Sequence, residues 1–262
     1  MARSQGSEDS LLMESPQDAP QYLLELESPS WSNLDRFGPR SSHIDIVKVR
    51  EWSNSCASEH SRACLGPRIL LPQHTMTVID VESDCLVELP HDSRYMALSY
   101  VWGAQAGAQA RQKRMESLKT PGSLPGPSKV LSLPATVRDT IHLASKLGIK
   151  YLWVDRLCII QDNEEYKKKQ LSQMAAIYEN AFITVIAVDG ERADHGLRGI
   201  GLSSQMRQYR PRMFEFSPDL CLLSSNFEEE EKSYLHKWHM RAWTFQERAI
   251  SRQKLIFVNG TV

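Results

Sequence analysis

The chain has 262 residues, enough to bury a sizeable core in one domain, and 41% of them are hydrophobic and 24% charged, as in ordinary globular proteins. Its formal net charge of −1 gives no electrostatic support for binding to nucleic acid or to an anionic membrane. The five cysteines are odd in number and include no Cys-x-x-Cys pair, which favours reduced intracellular thiols over a disulfide framework.

The sequence contains no recognisable targeting or membrane-spanning segment. Residues Met1 to Ser10 are polar and acidic, unlike a secretory signal peptide. The longest apolar run, Ala181 to Val188, is far shorter than a membrane span. The histidines and cysteines form no four-ligand zinc signature, so no metal site is predicted. The sequence therefore predicts a cytoplasmic protein without a membrane span.

Residues 1–66 differ in character from the rest of the chain. Ser, Pro, Asp and Glu dominate residues 1–20, and the aromatic residues that follow show no clear periodicity. We interpret this region as a variable, partly disordered leader, with a short helix or a docking strand at residues 22–26. The domain itself is predicted to span residues 67–262, with its core motifs in residues 93–252.

From residue 68 onward, strand and helix patterns alternate. The first half contains a strand pair at 68–71 and 75–81, a strand at 95–101, a loop at 119–129, and a helix begun by Pro134 and stopped by Gly148. The second half contains a strand at 151–160, a helix capped by Asp162 with Glu165, a strand at 181–188, a helix across 238–247 and a strand at 254–258. This alternation predicts the α/β class, with a parallel sheet flanked by helices and extra strands at its edges.

Four segments, in order, resemble the motifs of the fungal heterokaryon incompatibility (HET) family. They are YMALSYVWG at 95–103, LPAT at 133–136 with YLWVDRLCIIQD at 151–162, a spaced set from Gln170 to Leu197, and RAWTFQE at 241–247. One such block would be weak evidence of a resemblance, but four blocks in this order and spacing are highly specific for the family. The main departure is Arg156, because family members usually have a small residue there.

The resemblance carries expectations about fold and function. The HET family is similar to TIR domains, which adopt a flavodoxin-like α/β fold. Some TIR domains cleave NAD at the nicotinamide–ribose bond with a glutamate, whereas others only self-associate as signalling adaptors. The resemblance thus implies a domain of fungal non-self recognition, akin to innate immunity, that promotes programmed cell death. The alternatives are a non-catalytic self-associating adaptor module and a degenerate relative without activity. The resemblance also implies NAD as a candidate substrate, no cofactor, and as partners a second copy or another incompatibility or NLR-type protein.

The candidate site follows from where polar residues fall on the predicted sheet. Ligands of open α/β sheets gather outside the carboxyl ends of the strands, and three polar groups lie at such positions. Glu247 lies in the segment that resembles the TIR stretch with the catalytic glutamate. The predicted catalytic residues are Glu247 and Asp155, and the predicted substrate-binding residues are Ser99, Tyr100, Trp102, Gly103, Gln161 and Asp162.

The chemistry suits a carboxylate, because cleavage of the nicotinamide–ribose bond passes through an oxocarbenium-like ribose. Trp102 could stack on a base, and Gly103 would let the backbone approach a phosphate.

Simpler interpretations stay open for the same residues. Glu247 could be a helix-surface or capping residue, and Asp155 could form a structural ion pair. Ser99 is better explained as a hydrogen-bonding residue at a strand end than as a nucleophile, because no Gly-x-Ser-x-Gly elbow surrounds it. We assign Trp153, Trp243 and Cys158 to the core.

Overall fold

A computed structural model describes residues 22–27, 43–59, 76–103, 109–124, 133–200, 213–217, 220–225, 237–241 and 244–258. The described chain is a mixed α/β structure with one six-stranded sheet, flanked by helices, and one three-stranded sheet. The predicted strand at 68–71 and the predicted core residue Trp243 lie outside the described residues.

The strands are numbered in chain order. They are β1 (Tyr22–Glu27), β2 (Thr77–Asp80), β3 (Cys85–Glu88), β4 (Tyr95–Ser99), β5 (Tyr151–Val154), β6 (Ile183–Ala187), β7 (Met213–Ser217), β8 (Leu220–Ser225) and β9 (Lys254–Phe257). The α-helices are α1 (Ile46–Glu59), α2 (Met115–Leu118), α3 (Ala135–Leu147), α4 (Asp155–Cys158), α5 (Glu164–Leu171), α6 (Met174–Asn180) and α7 (Thr244–Ile250). Two short 3-10 turns lie at Gln112–Arg114 and Ala193–His195.

The six-stranded sheet has the order β3-β2-β5-β4-β6-β9. Strands β5, β4, β6 and β9 run parallel, while β2 is antiparallel to both β3 and β5. The predicted α/β class with flanking helices is therefore confirmed. Because the four parallel strands point the same way, their carboxyl ends share one edge of the sheet.

The core lies on both faces of the parallel strands. Every residue of β4 and β6 is buried, as their nearly continuous apolar sequences require of strands covered on both faces. Trp153 and Cys158 are both buried, so the prediction of core positions for the two residues is confirmed. Burial raises the pKa of the Cys158 thiol to about 12, which keeps it protonated and unreactive.

Helix α3 was predicted correctly from its pattern. It begins immediately after Pro134 and ends at Gly148, which adopts the left-handed conformation with φ of +74°. Its apolar face is buried at Val137, Ile141 and Ala144, which are spaced by about one helical turn. This helix connects β4 with β5 and so places the ends of these two parallel strands side by side.

The predicted strand at 151–160 is wrong in its second half. Strand β5 ends at Val154, and Asp155 begins the one-turn helix α4. The backbone N–H of Val154 then donates to Cys158 Sγ at 3.3 Å, a contact that only a turn can make. A continuous apolar run does not by itself distinguish a buried strand from a buried helical turn.

Two helix starts also differ from prediction. Asn163, not Asp162, caps α5, and its side chain accepts from the backbone N–H of Tyr166 at 2.9 Å. The predicted helix across 238–247 is wrong in its first part, since residues 237–240 form turns and α7 begins only at Thr244. Short polar side chains at a helix start compete for the capping position, so neighbouring candidates are easily exchanged.

Parts of the predicted leader form regular structure. Of the two alternatives for residues 22–26, the strand is found, since β1 pairs antiparallel with β8 in the three-stranded sheet. Helix α1 packs against α3, and the backbone N–H of Ile44 donates to the Gly199 carbonyl at 2.8 Å. None of the described helices is long and apolar enough to cross a membrane.

Candidate functional site

Glu247 enters the protein interior from the first turn of α7. Only 2% of its surface is exposed, and its carboxylate accepts a hydrogen bond from the Ser99 hydroxyl. The alternative of a glutamate on the helix surface is therefore wrong. A buried carboxylate needs hydrogen bonds or a countercharge, so its immediate neighbours determine what it can do.

Ser99 is the last residue of β4 and is 1% exposed. Its Oγ accepts a hydrogen bond from Trp238 Nε1 at 2.8 Å and donates one to Glu247 Oε2. An indole N–H only donates, so the hydroxyl proton of Ser99 is left for the carboxylate. Ser99 thus acts as a hydrogen-bonding residue at a strand end, as the sequence favoured.

Asp155 follows β5 directly and is partly buried. Both of its carboxylate oxygens lie 3.0 Å from Trp102 Nε1, and Oδ1 also accepts from the backbone N–H of Arg156 at 2.7 Å. The guanidinium of Arg156 lies over the Trp102 ring, 5.5 Å from its centroid, and this arginine is buried. Trp102 is therefore held between an anion at its edge and a cation on its face.

The two carboxyls influence each other electrostatically. The pKa of Asp155 is raised to about 7, first by burial and then by the negative charge of Glu247, while Arg241 opposes both effects. Burial also raises the pKa of Glu247, against the hydrogen bond from Ser99 and the charge of Arg241. Two carboxyls in one poorly solvated site resist simultaneous ionisation, so one of them titrates close to neutral pH.

Arg241 and two tyrosines complete the cluster. Arg241 donates to the Tyr100 carbonyl at 2.5 Å and supplies a positive charge near both carboxyls. The pKa of the Tyr100 hydroxyl is raised well above its usual value by burial and then by Asp155. The pKa of Tyr178 is raised by burial and then by Glu247 and Asp155. Both hydroxyls consequently stay protonated at neutral pH.

The remaining predicted residues lie at the margin. Gly103 is exposed with φ of +71°, and a Cβ there would lie 3.1 Å from Cγ of Arg192. Gln161 Nε2 donates to the Asp155 carbonyl at 3.0 Å and so supports the turn that carries this acid. Asp162 is exposed and accepts from the backbone N–H of Gln112 at 2.8 Å, which ties it to the 3-10 turn. The structure thus brings together Ser99, Tyr100, Trp102, Asp155 and Glu247.

Three contributors to this cluster were not predicted as site residues. Trp238, which donates to Ser99 from a turn, carries no local pattern that would mark it. Tyr178 lies in the spaced set from Gln170 to Leu197 and Arg241 in the RAWTFQE segment, so the resemblance covered both without giving either a role. A signal was therefore available for Tyr178 and Arg241 but not for Trp238.

A cavity of about 550 Å³ lies elsewhere, between the β2–β3 hairpin, α2 and α5, with Glu88, Met115 and Tyr166 in its wall. None of the eight predicted site residues lines it. Within the part of the chain that the structure describes, no three metal-ligating side chains come together. The two acids with raised pKa values lie instead in the cluster at the strand ends.

One comparison with known protein families matches the part of the chain that contains the cluster. A family model described as heterokaryon incompatibility protein (HET) matches residues 95–247, more than half of the chain. The match runs from the first residue of β4 to Glu247, so it includes both carboxyls and three of the four parallel strands, β4, β5 and β6. No curated protein and no solved structure matches the chain.

Proposed function

The chain belongs to the heterokaryon incompatibility (HET) family, which is associated with fungal heterokaryon incompatibility, and on this premise we propose that it is a NAD glycohydrolase. Its role would be signalling in the cytoplasm after recognition of non-self, with the loss of NAD promoting cell death. Glu247 and Asp155 are the proposed catalytic residues.

The observation that carries this proposal is the convergence of two acids from distant parts of the chain. Glu247 reaches Ser99 at the end of β4, and Asp155 follows the neighbouring strand β5. The charge of Glu247 raises the pKa of Asp155, so the two groups act on one small volume. Perturbed acids gathered at the carboxyl ends of parallel strands are characteristic of catalytic sites.

The arrangement suits hydrolysis of the nicotinamide–ribose bond. Nicotinamide leaves as a neutral molecule with the bonding electrons, and the ribose becomes an oxocarbenium-like cation that an ionised Glu247 stabilises. Water then forms the new C–O bond and must release a proton. Asp155, whose pKa is about 7, is suited to accept that proton when it is ionised. The products are ADP-ribose, nicotinamide and one proton.

The strand order supports a TIR-like, flavodoxin-like architecture for this site. Taken in chain order, the parallel strands β4, β5, β6 and β9 occupy the sequence second, first, third, fourth across the sheet. This is the order of flavodoxin-like sheets, which bind ligands where the strand order reverses, beside their first strand. Here that position is the end of β4, where Ser99 meets Glu247.

Two marginal residues provide for substrate binding in this proposal. Trp102 is partly buried, and in this proposal its ring stacks on the nicotinamide or adenine base. Gly103 is exposed, and its lack of a side chain leaves backbone room for a phosphate.

The test is NAD consumption by purified protein, compared with Glu247→Gln, at high concentration and as a fusion that forces oligomerisation. We expect the wild type to release nicotinamide and ADP-ribose and the variant to release neither. A folded wild type that leaves NAD intact in every assembly state would refute the glycohydrolase proposal.

One observation favours a second candidate, a non-catalytic module that acts by self-association. Ser99 and Glu247 are 1% and 2% exposed, and Arg156 fills space beside Trp102 where family members usually have a small residue. A site so closed could serve only to hold β4 and α7 together. Concentration-dependent assembly without NAD turnover would favour this candidate, and turnover lost in Glu247→Gln would exclude it.

A further inference from the structure

We propose that Trp238 and Ser99 form a positioning pair for Glu247. The pair fixes one Glu247 oxygen as a hydrogen-bond acceptor and favours protonation of Asp155 over protonation of Glu247. This inference deepens the proposed hydrolase site and depends on that function only for its kinetic consequence. Neither residue needs to touch the substrate. Their role is to make the two acids chemically different.

The direction of the two hydrogen bonds determines which atom of Glu247 accepts. Trp238 Nε1 lies 2.8 Å from Ser99 Oγ and has no lone pair to accept with, so it donates. The hydroxyl of Ser99 has a single proton, and this proton points to Glu247 Oε2. One oxygen of Glu247, Oε2, is thereby committed as a hydrogen-bond acceptor.

Packing around Trp238 holds its indole N–H against Ser99. Its side chain is 1% exposed and packs with Val101, Ile186 and Val188. The turn that bears it is tied at both ends, by the ion pair from Lys237 to Glu191 at 2.9 Å and by the bond from Arg241 to the Tyr100 carbonyl. The indole therefore cannot turn away from Ser99 without disrupting the packing of this turn.

The groups around Glu247 determine which of the two acids is protonated. Three ionisable neighbours interact with it, namely Asp155 at the start of α4, Arg241 from the turn and Tyr178 from α6. Arg241 attracts both carboxylates, so it does not by itself select between them. The Ser99 hydroxyl belongs to Glu247 alone and favours its ionised form. Of the two acids, Asp155 is then the one that binds and releases a proton near neutral pH.

The experiment is a carbon-13 NMR titration of the Glu247 side-chain carboxyl in glutamate-labelled full-length protein, with Glu247→Gln used to assign the signal. Removing the hydroxyl in Ser99→Ala should raise the titration midpoint of Glu247 by about one pH unit. Trp238→Phe retains a ring but loses the N–H, and it should raise the midpoint by a smaller amount. Ser53→Ala, which removes another buried serine hydroxyl on α1, should leave it unchanged.

The outcomes separate this inference from the proposed function. A midpoint that moves in neither Ser99→Ala nor Trp238→Phe, with both variants folded, would overturn the positioning pair whether or not NAD is cleaved. An equal change in Ser53→Ala would overturn it too. If the midpoints move as expected but the wild type leaves NAD intact, the pair stands and the glycohydrolase proposal fails. In an active enzyme, Ser99→Ala should lower kcat at neutral pH, because a larger fraction of Glu247 is then protonated.

Discussion

The two acids of the cluster resemble each other in their partners and differ in their access to solvent. Each is approached by a tryptophan N–H, Asp155 directly by Trp102 and Glu247 through Ser99 from Trp238. Asp155 is partly exposed at the end of a strand, whereas Glu247 is 2% exposed on a helix. The comparison teaches that solvent access alone does not rank the two acids. Glu247 is the less exposed, yet the hydrogen bond from Ser99 favours its ionised form, and its charge then raises the pKa of Asp155.

The largest expected effect separates the two acids in catalysis. If Glu247 stabilises the ribose cation and Asp155 accepts a proton from water, Glu247→Gln should lower kcat at least about 1,000-fold and Asp155→Asn roughly 100-fold. Both are measured as nicotinamide release at saturating NAD, with circular dichroism to verify folding. Equal losses would mean that the acids are not distinguished as proposed.

A smaller effect concerns stability and pH. The pKa of Asp155 is about 7 in the folded protein and near 3.8 when unfolded, so the folded state binds this proton more tightly. Its contribution to stability is complete below pH 3.8 and is lost as the pH rises toward 7, then stays constant. We expect Asp155→Asn to be more stable than the wild type at pH 8, by on the order of 2 kcal/mol after allowing for partial solvent access, with little difference at acidic pH.

Urea denaturation of both proteins across this pH range is the measurement. Asp194→Asn is the matched control, because it neutralises an exposed acid on the 3-10 turn outside the cluster. A wild type that gains stability relative to Asp155→Asn as the pH rises would contradict the raised pKa of Asp155.

The smallest effect distinguishes two glycines with positive φ. Gly103 (φ +71°) follows Trp102, and a Cβ there would meet Arg192 at 3.1 Å, whereas Gly122 (φ +75°) faces open space. An alanine is strained at both positions by about 1 kcal/mol, but only Gly103→Ala must also displace Arg192. We expect Gly103→Ala to cost roughly 1 kcal/mol more than Gly122→Ala in urea denaturation. Equal costs would show that Arg192 yields freely.

Local pattern was sufficient for parts of the fold. Helix α3 and strands β4 and β6 were predictable because their apolar spacing and end signals are contained within each segment. The turn at Asp155 was not, because its neighbours are as apolar as those of a strand.

The site was less predictable than the fold. Asp155 and Glu247 were proposed from strand-end logic and from family resemblance, and no periodicity would have marked Glu247 as buried. Trp238 was not predicted as a site residue, because its partner Ser99 lies 139 residues away and only the assembled sheet brings the two together. Contacts of that separation depend on tertiary structure, which local propensity does not encode.

The electrostatic coupling between Asp155 and Glu247 is tested most directly by titration of the Asp155 carboxyl. Carbon-13 NMR of aspartate-labelled protein should give a midpoint about 7 in the wild type and a lower one in Glu247→Gln, where the neighbouring charge is absent. A midpoint near the ordinary value of 3.8 in both proteins would contradict the coupled pair and the division of roles built on it.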